Sequence, residues 1–439
     1  MLDVGVAGGG LAGPLLALFL ARRGHAVTVY ERRPDPRRVA TGGRSINLAL
    51  SARGIDALER VGLAETVLEQ SLAMRGRMMH DRAGGLAYQA YSADGSKAIN
   101  SISRHGLNTV LLSSAERAPG VTLCFEQRAV GVTADEGRIE LQGPAGCQTV
   151  THDVVIAADG AYSALRDAVV RGERTDYRQE HLPWGYKELT VAPTSGGDFA
   201  LEPGALHIWP RRHSMMIALP NPDRSFTATL FWPFDGPAGF AGLDDADAVG
   251  ARFARDYPDA LPLFADLAGE FARHPVGSLV TVRVWPWVRG RLALLGDAAH
   301  AIVPFFGQGM NCAFEDVVEL DRTLAEAGED WSAGLAAYAA GRKPNADAIA
   351  ELALDNFVEM RDKVGSPVFR LGKRLEHAIE RWAPDRFESL YELVSFTTIP
   401  YAEARRRAAE QRRFPANATA LGAAGGARLA AAARKAVGR

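Results

Sequence analysis

The hydrophobic pattern at the start of the chain predicts a strand, a helix and a second strand in close succession. Residues 2–7 form a short apolar run that is typical of a buried strand, and residues 25–30 repeat that pattern. Between them, residues 14–23 have the length and apolar content of a helix. The pattern therefore predicts one compact β-α-β unit.

The middle of the chain has a different pattern. Residues 184–234 contain several short segments rich in β-forming residues, separated by Pro and Asn, which favours an antiparallel sheet. Residues 292–295 form another apolar, strand-like run, and beyond Gly309 the pattern is mostly helical to about residue 412.

A glycine motif joins the first strand to the first helix. Gly8, Gly10 and Gly13 form a GxGxxG pattern, in which glycine permits a tight turn and lets the backbone approach a pyrophosphate at the helix N-terminus. Glu31 ends the second strand, where an acidic side chain can accept hydrogen bonds from both hydroxyls of a ribose. Because an acidic residue there disfavours a 2′-phosphate, we expect FAD or NAD rather than NADP. For this motif alone, a tight turn without a ligand stays an alternative.

Two later motifs favour FAD. Residues 159–166 fit the pattern DGxxSxxR, beginning with Asp159, and residues 296–300 read GDAAH. The Asp297 carboxylate can hold a ribityl hydroxyl at the tip of a buried strand, although an ordinary helix N-cap is the alternative. The segment 304–311 follows, and the helix after it would stabilise negative charge on a reduced flavin.

The cofactor motifs lie on both sides of the β-rich block, which indicates that this block is an insertion. We expect an α/β fold with a Rossmann-like FAD-binding domain of residues 1–72, 104–176 and 284–345. An antiparallel β-sheet substrate domain would comprise residues 73–103 and 177–283. A helical region, 346–412, and a flexible tail, 413–439, would complete the chain.

Charge and cysteine content exclude several other classes of protein. A formal net charge of −2 gives no nucleic-acid footprint, and no apolar run is long enough for a membrane span. Cys124, Cys147 and Cys312 match neither a metal nor a redox spacing. We therefore expect no metal and a reducing, cytoplasmic location without a signal peptide.

The three cofactor motifs, in this order, resemble those of the single-component flavoprotein aromatic hydroxylases, the group that contains p-hydroxybenzoate hydroxylase. Longer strings resemble the kynurenine 3-monooxygenase family, and they lie at residues 43–50, 74–80, 102–104, 206–210, 215–221, 303–311 and 356–361. The resemblance covers about residues 1 to 412. Animal members of that family end in a hydrophobic membrane anchor. This sequence shows no such segment, and it therefore resembles the soluble bacterial form.

The resemblance implies a reaction. NADPH would reduce bound FAD, and O2 would then add to give a C4a-hydroperoxyflavin that hydroxylates L-kynurenine to 3-hydroxy-L-kynurenine. The product would serve NAD (quinolinate) biosynthesis or tryptophan degradation. The protein has to supply position and exclude water, and no catalytic side chain is obligatory. We interpret His300 as a local hydrogen-bonding residue.

The resemblance also implies an amino-acid pocket. Arg77 matches an arginine that binds the substrate carboxylate, in keeping with the fork shape of its guanidinium. Tyr91 matches a tyrosine on the same carboxylate, and Asn356 and Tyr391 complete the pocket. The aromatic ring is expected to lie against Phe231, Phe305 and Phe306, with sheet core as an equal alternative for Phe231.

On the cofactor side, the motifs and the resemblance imply contacts with FAD from Gly8, Gly10, Ala12, Gly13, Glu31, Arg33, Ala49, Arg104, Ala129, Asp159, Asp297, Gly309, Met310 and Asn311. No second Rossmann fingerprint is present for NADPH, which is expected to bind transiently. Arg104 and the turn at Asp159 and Gly160 are candidates for contacting it.

Two alternatives stay open. The first is the same chemistry on a kynurenine-like substrate in a secondary-metabolite pathway. The second is a flavin oxidase or reductase that inserts no oxygen. In each case the partner is a small molecule, and the protein is expected to be a monomer or a homodimer.

Overall fold

The computed structural model describes residues 1–38, 47–92, 94–172, 174–328, 330–358 and 389–411. The first β-α-β unit forms as predicted, because β1 (Asp3–Ala7) and β2 (Ala26–Tyr30) pair in parallel and α1 (Ala12–Arg22) connects them. The buried side chains of α1 pack into the largest hydrophobic core of the chain.

The remaining strands are β3 (Asn47–Leu50), β4 (Leu72–Met74), β5 (Gly76–His80), β6 (Leu86–Ala90), β7 (Ile99–Ser103), β8 (Val121–Cys124), β9 (Arg128–Thr133), β10 (Arg138–Gly143), β11 (Gly146–Thr151), β12 (Val154–Ala157), β13 (Asp176–Val191), β14 (Ala205–Pro210), β15 (Met215–Pro220), β16 (Phe226–Pro233), β17 (Gly277–Trp285), β18 (Val288–Arg289) and β19 (Leu292–Leu294). The helices after α1 are α2 (Ala52–Arg60), α3 (Ala64–Glu69), α4 (Arg104–Arg117), α5 (Arg166–Val170), α6 (Ala246–Asp256), α7 (Leu267–Arg273), α8 (Asp297–His300), α9 (Gly309–Ala327), α10 (Trp331–Val358) and α11 (Leu390–Ser395). Residues 401–411 are also helical.

A six-stranded sheet has the order β18-β19-β12-β1-β2-β8. Its strands run parallel except at the β18–β19 edge. Strand β1 lies in the interior of the sheet, and the strands beside it are followed by the motifs at Asp159 and Glu31. Because the C-terminal ends of parallel strands meet at one edge of a sheet, this order gathers the cofactor motifs there.

A seven-stranded sheet has the order β17-β13-β16-β15-β14-β5-β6, and within it only the β14–β5 pair is parallel. One face packs against α10, α11 and residues around 401 in a second core that includes Phe231 and Phe305. The opposite face packs against α6 and α7 around Trp209 and Trp232. Two three-stranded sheets, β11-β10-β9 and β3-β7-β4, complete the topology.

The prediction of a mixed α/β fold with an antiparallel insertion is confirmed. Some local details differ from what the residue pattern predicts. Residues 87–104 alternate as a single strand would, but the structure has two strands there, β6 and β7, joined by a loop, and α4 already begins at Arg104. Several strands were not predicted, namely β3, β4, β9, β11, β17 and β18. In β9 and β11 no residue is fully buried, which weakens the alternation of apolar and polar positions.

The domain boundaries stay a prediction, although the two large sheets follow the same division of the chain. Several predicted parts of the chain lie outside the described residues. They are residues 359–388 and 412 of the expected helical region, the expected tail at 413–439, residues 43–46 of one family-like string and residues 359–361 of another. None of the helices in the described part combines the length and apolar character that a bilayer span requires.

Candidate cofactor and substrate site

The glycine turn after β1 is shaped by close backbone packing. Gly8 has φ +114°, and a Cβ there would lie 2.2 Å from the carbonyl oxygen of Ala158. A Cβ on Gly13 would lie 2.0 Å from the carbonyl oxygen of Gly8. A Cβ on Gly10, by contrast, would meet nothing within 4 Å in the described part of the chain. The fold therefore requires glycine at positions 8 and 13, whereas Gly10 borders open space where a pyrophosphate fits.

Glu31 lies beside this turn with its side chain buried. Its Oε2 accepts the Gly9 N–H at 2.9 Å, and its Oε1 accepts the backbone N–H and the Nε–H of Arg33 at 3.0 and 2.7 Å. Burial by itself raises the pKa of Glu31, but the hydrogen bonds from Arg33 and Gly9 outweigh it and lower the pKa overall. The carboxylate is thus ionised and fixed, with acceptor capacity left for ribose hydroxyls.

The turn after β12 places Asp159 next to Gly8 and Ala158. Asp159 Oδ2 accepts the backbone N–H groups of Ala164 and Leu165 at 2.9 and 3.4 Å. Burial raises the pKa of Asp159, and these hydrogen bonds offset only part of that effect. Its Oδ1 is buried and has no hydrogen-bond partner in the described chain, which suits a carboxylate that awaits a polar ligand.

Asp297 begins α8 at the end of β19. Its side chain is solvent-exposed although it lies deep within the protein, as expected for a carboxylate at the base of a cleft. The protein that surrounds Asp297 displaces most of its bulk water and raises its pKa, while the positive charges of His300 and Arg104 act in the opposite direction. A Cβ on Gly296 would lie 3.8 Å from the Cβ of Ala12, so this turn and the start of α1 meet at one place.

A charged cluster lies behind the Gly296 turn. His300 Nε2 and Asp316 Oδ2 are 2.5 Å apart, and the same oxygen accepts the Gly296 N–H at 3.0 Å. Arg342 Nε donates to Asp316 Oδ1 at 2.7 Å. Burial alone would lower the pKa of His300, but the Asp316 carboxylate outweighs it and raises that pKa well above its usual value. His300 is therefore a local hydrogen-bonding residue that supports the turn.

The same cluster contains a possible set of metal ligands. One ligand atom each from His300, Cys312 and Asp316 lies within 4.8 Å of the others. Arg342 donates to Asp316 and also lies 3.3 Å from the Cys312 sulfur. A guanidinium cation at this position repels a metal ion. The expectation that the protein uses no metal stays a prediction.

The start of α9 packs against β3 and the turn at Gly307. Gly309 and Met310 are half-buried, whereas Asn311 is fully buried. The Asn311 amide donates to the carbonyl oxygens of Ala49 and Gly307 at 2.8 and 3.0 Å, and its Oδ1 accepts the Ser51 N–H at 3.0 Å. The Asn311 side chain therefore joins β3 to α9, and only its backbone is left to contact a cofactor.

The other residues expected near FAD occupy a mixture of places. Ala12 and Ala49 are half-buried and border the cleft through Gly296 and Gly307. The Arg33 side chain is largely exposed beside Glu31, and Arg104 is exposed at the start of α4, where its charge reaches Asp297. Ala129 lies in β9, near Gln127, whose N–H donates to the Glu31 carbonyl oxygen at 2.9 Å.

The residues expected to bind an amino acid also come together. The Arg77 guanidinium carbon lies 4.0 Å from the centre of the Tyr391 ring and 5.7 Å from that of Tyr91, and these two rings stack at 5.4 Å. Burial raises the pKa of Tyr91 well above its usual value, so its phenol stays protonated. Arg77 Nε and the Tyr91 hydroxyl are buried without a hydrogen-bond partner among the described residues. They leave donors available for a carboxylate.

Arg77, Tyr91 and Tyr391 together are called the amino-acid clamp below. The phenylalanines form a wall next to this clamp. Phe306 stacks on Tyr391 with ring centres 5.7 Å apart, and Phe305 lies 5.1 Å from Phe231. Asn356 Nδ2 donates to the Phe305 carbonyl oxygen at 2.6 Å, so Asn356 fixes the wall. All seven residues expected at the substrate thus belong to one connected region.

Sequence reasoning missed several members of this region. Phe357 stacks on Phe305 at 4.4 Å, and Phe396 lies 5.6 Å from Tyr91. Leu206 pairs with Arg77 across the β14–β5 register and packs on the same face. Phe357 directly follows Asn356 in a family-like string and could have been found there, whereas the position of Phe396 depends on how the chain packs.

The chain matches known proteins over most of its length. Residues 1–353 match the family model described as "FAD binding domain". The kynurenine 3-monooxygenase of Myxococcus xanthus (strain DK1622) is 48% identical over 404 residues, covering 91% of this chain and 86% of that protein. The kynurenine 3-monooxygenase of Salinispora arenicola (strain CNS-205) is 46% identical over 414 residues, covering 93% and 91%.

Solved structures share the fold at low sequence identity. The tetrameric form of 2-methyl-3-hydroxypyridine-5-carboxylic acid oxygenase superposes with a TM-score of 0.69 at 22% identity, covering 83% of this chain and 94% of that one. P. aeruginosa PqsL in complex with 2-aminobenzoylacetate gives a TM-score of 0.68 at 22% identity, covering 82% and 97%. These similarities confirm the expected fold.

Proposed function

The chain belongs to the kynurenine 3-monooxygenase family of FAD-binding proteins, and on that premise we propose that it hydroxylates L-kynurenine to 3-hydroxy-L-kynurenine. The reaction consumes NADPH, a proton and O2 and yields the phenol, NADP⁺ and water. One oxygen atom enters the ring C–H bond, and two electrons from NADPH reduce the other to water.

The observation that carries the proposal is a cluster of side chains with two chemically different ends. One end presents the Arg77 cation between the Tyr91 and Tyr391 rings, and the other presents the phenylalanine wall at Phe305 and Phe306. An aromatic amino acid has the matching polarity, since its carboxylate can accept hydrogen bonds from Arg77 while its ring packs on Phe305.

The cofactor cleft fits FAD by the chemistry of its donors. Glu31 offers acceptors for ribose hydroxyls, Gly10 leaves space for a pyrophosphate, and Asp297 offers an exposed carboxylate for a ribityl hydroxyl. We assign the backbone at Gly309 and Met310 to the flavin ring, because the first N–H groups of α9 have no partner within that helix. When bound, FAD supplies the redox and oxygen chemistry.

The side chains of the protein then have two tasks, which are to position the substrate and to shield it from water. Arg77 and the tyrosines fix the amino-acid end of the substrate, and Asn356 fixes the phenylalanine wall through the Phe305 carbonyl oxygen. The aniline nitrogen of kynurenine already activates the carbon beside it, so the protein needs to hold that carbon in place and keep water out. This division of labour requires no acid–base side chain at the ring.

The direct test uses the purified flavoprotein with NADPH, 18O2 and L-kynurenine. We expect one 18O atom in each molecule of 3-hydroxykynurenine and nearly one product per NADPH. The matched probe is 2-aminoacetophenone, which keeps the aminophenyl ketone but lacks the amino-acid end, and it should bind far more weakly. NADPH loss that yields only hydrogen peroxide would show an oxidase instead.

A broader substrate range is the second outcome. If a ring-substituted kynurenine gives a higher kcat/KM than L-kynurenine itself, the enzyme serves a kynurenine-like substrate.

We further propose that the protein acts in the cytoplasm, and its free cysteines Cys124, Cys147 and Cys312 fit such a reducing compartment. The proposed oligomeric state is a monomer or a homodimer. Light scattering after gel filtration measures the oligomeric state.

A further inference from the structure

The segment that carries Tyr391 is attached to the rest of the protein by a buried arginine. Arg53, on α2, is 1% exposed, and its guanidinium donates to the carbonyl oxygens of Val394 and Ile399. The same guanidinium pairs with Glu315 at 3.0 Å and lies 3.9 Å from the centre of the Tyr401 ring. Arg53 thus attaches residues 389–411 to α2.

Tyr401 extends this attachment toward the cofactor cleft. Its hydroxyl donates to Gln308 Oε1 at 2.9 Å, and both side chains are buried. Gln308 Nε2 in turn donates to Ser51 Oγ at 3.3 Å. Gln308 directly precedes α9 and follows the segment that contains Phe305 and Phe306.

The connection ends on the backbone that borders the flavin position. The N–H of Ser51 donates to Asn311 Oδ1, and the Asn311 amide donates to the Gly307 carbonyl oxygen. Gly307 adopts the left-handed conformation with φ +66°, which glycine reaches without steric cost, and it has no side chain of its own to hold the turn in place. An unbroken series of hydrogen bonds therefore joins the Tyr401 helix to the turn at residues 304–311.

We propose that Arg53, Tyr401 and Gln308 form a positioning relay that sets the amino-acid clamp in register with the flavin-facing turn. This inference rests on the proposed function. The relay lies behind both halves of the site, and its members act through Tyr391 on one side and through Phe305 and Phe306 on the other. Its effect is on the position of the substrate ring relative to the flavin-facing turn.

The relay has a specific consequence for the reaction. Tyr391 stacks on Phe306, and Phe306 lies two residues before Gln308. If the Tyr401–Gln308 bond is lost, the clamp can still bind the carboxylate of the substrate, but the turn is free to shift relative to it. Small displacements of a reacting group are costly to catalysis, and we expect NADPH consumption to produce more peroxide and less hydroxylated product.

The test is Tyr401→Phe, which removes one hydroxyl and keeps the ring that Arg53 stacks upon. At saturating L-kynurenine, we expect the ratio of peroxide to 3-hydroxykynurenine to rise about three- to tenfold, the range that one neutral hydrogen bond supports. The dissociation constant of kynurenine, titrated through the flavin absorbance of the holoenzyme, should stay within about twofold.

The matched control is Tyr257→Phe. Tyr257 is also fully buried, and its hydroxyl bonds Ser214 and the Trp232 indole, but it packs on the opposite face of the large sheet. This variant loses a comparable hydroxyl without touching the relay. It should lower the melting temperature while leaving the peroxide ratio unchanged.

A double-mutant cycle with Gln308→Leu checks that Tyr401 acts through Gln308. Each single variant should raise the peroxide ratio, and the double variant should raise it no further than Gln308→Leu alone. Additive effects would overturn the relay. If Tyr401→Phe does not fold, Gln308→Leu is measured in its place, and wild-type coupling in that variant likewise overturns it.

The relay and the proposed function fail in different ways. If the wild-type protein makes product and Tyr401→Phe couples equally well, the relay is wrong and the function stands. If the wild-type protein makes only peroxide, the function is wrong. The relay is then judged by the flavin absorbance change on adding kynurenine: a smaller change in Tyr401→Phe supports it, and an equal change overturns it.

Discussion

The dinucleotide end of the cleft and its amino-acid end are built from different parts of the chain. At the dinucleotide end, backbone fixes the shape, since Gly8 and Gly13 pack on carbonyl oxygens with no room for a Cβ. At the amino-acid end, side chains fix the shape, because Arg77 lies on β5, Tyr91 follows β6, and Tyr391 lies on α11.

The difference has a physical cause. A pyrophosphate is bound mainly by backbone N–H groups and a helix dipole, which a short local motif can provide. A free amino acid needs a cation and walls in fixed positions, which only packed side chains from several elements provide. We therefore expect changes at the first end to damage folding and flavin binding together, and changes at the second to spare both.

The largest effect is expected for Gly13→Ala. Its Cβ would lie 2.0 Å from the Gly8 carbonyl oxygen, so the β1–α1 turn must open, which we expect to cost about 3 kcal/mol or more and to release FAD. Gly10→Ala is the matched control for folding, because no part of the described chain would meet its Cβ, whereas a bound pyrophosphate would. The melting temperature of the apoprotein distinguishes the two variants: it should fall in Gly13→Ala and stay near wild type in Gly10→Ala. A stable, flavin-loaded Gly13→Ala protein would contradict the backbone-defined view of this end.

Arg77→Ala should act at the other end alone. Removing the cation leaves a substrate carboxylate without its charged donors, and we expect kynurenine affinity to fall about a hundredfold or more. FAD content and melting temperature should stay near wild type. Substrate titration and flavin absorbance on the same sample measure both. Loss of flavin in this variant would show that the two ends are not separable.

His300→Asn tests the charged support of the dinucleotide end. The pKa of His300 is raised in the folded protein, so its pairing with Asp316 stabilises fully below about pH 6.5 and is lost as pH rises through the folded pKa. Asp316 keeps its bond from Arg342, so we expect the variant to lose about 1–3 kcal/mol at pH 6, the cost of one lost hydrogen bond to a buried charged group, and progressively less at alkaline pH. Melting curves of both proteins across pH 6 to 10 provide the check. A deficit that is constant with pH would mean that His300 is neutral.

The smallest effect is expected for Lys97→Gln, at the rim of the amino-acid end. Lys97 pairs with Glu392, the residue after Tyr391, and both side chains are partly exposed. Exposed ion pairs contribute about 0.2–1 kcal/mol, so KM for kynurenine should rise about two- to fivefold, and less so at high salt. Lys343→Gln is the control, since Lys343 pairs with Asp347 within α10. Equal KM values in Lys97→Gln and wild type would show that this ion pair does not support the clamp.

The amino-acid sequence by itself determined the local parts of the molecule. The GxGxxG turn, Glu31 at the end of β2 and Asp297 after β19 follow from short-range rules, because each needs only a strand, a turn and a helix in order. The antiparallel insertion was also readable from its β-rich pattern. Residues such as Arg77 and Tyr391 could be named only by resemblance, since nothing in their own neighbourhood marks them.

Tertiary structure alone decided which side chains meet. It showed that the Asn311 side chain is hydrogen-bonded to Ala49, Gly307 and Ser51. It also showed that Arg53 supports the segment that carries Tyr391. Such contacts join residues that are far apart in sequence, and their existence depends on how the two large sheets and the C-terminal helices pack together. Hydrophobic periodicity and motif spacing describe one helix, strand or turn at a time, so they cannot predict contacts between distant elements.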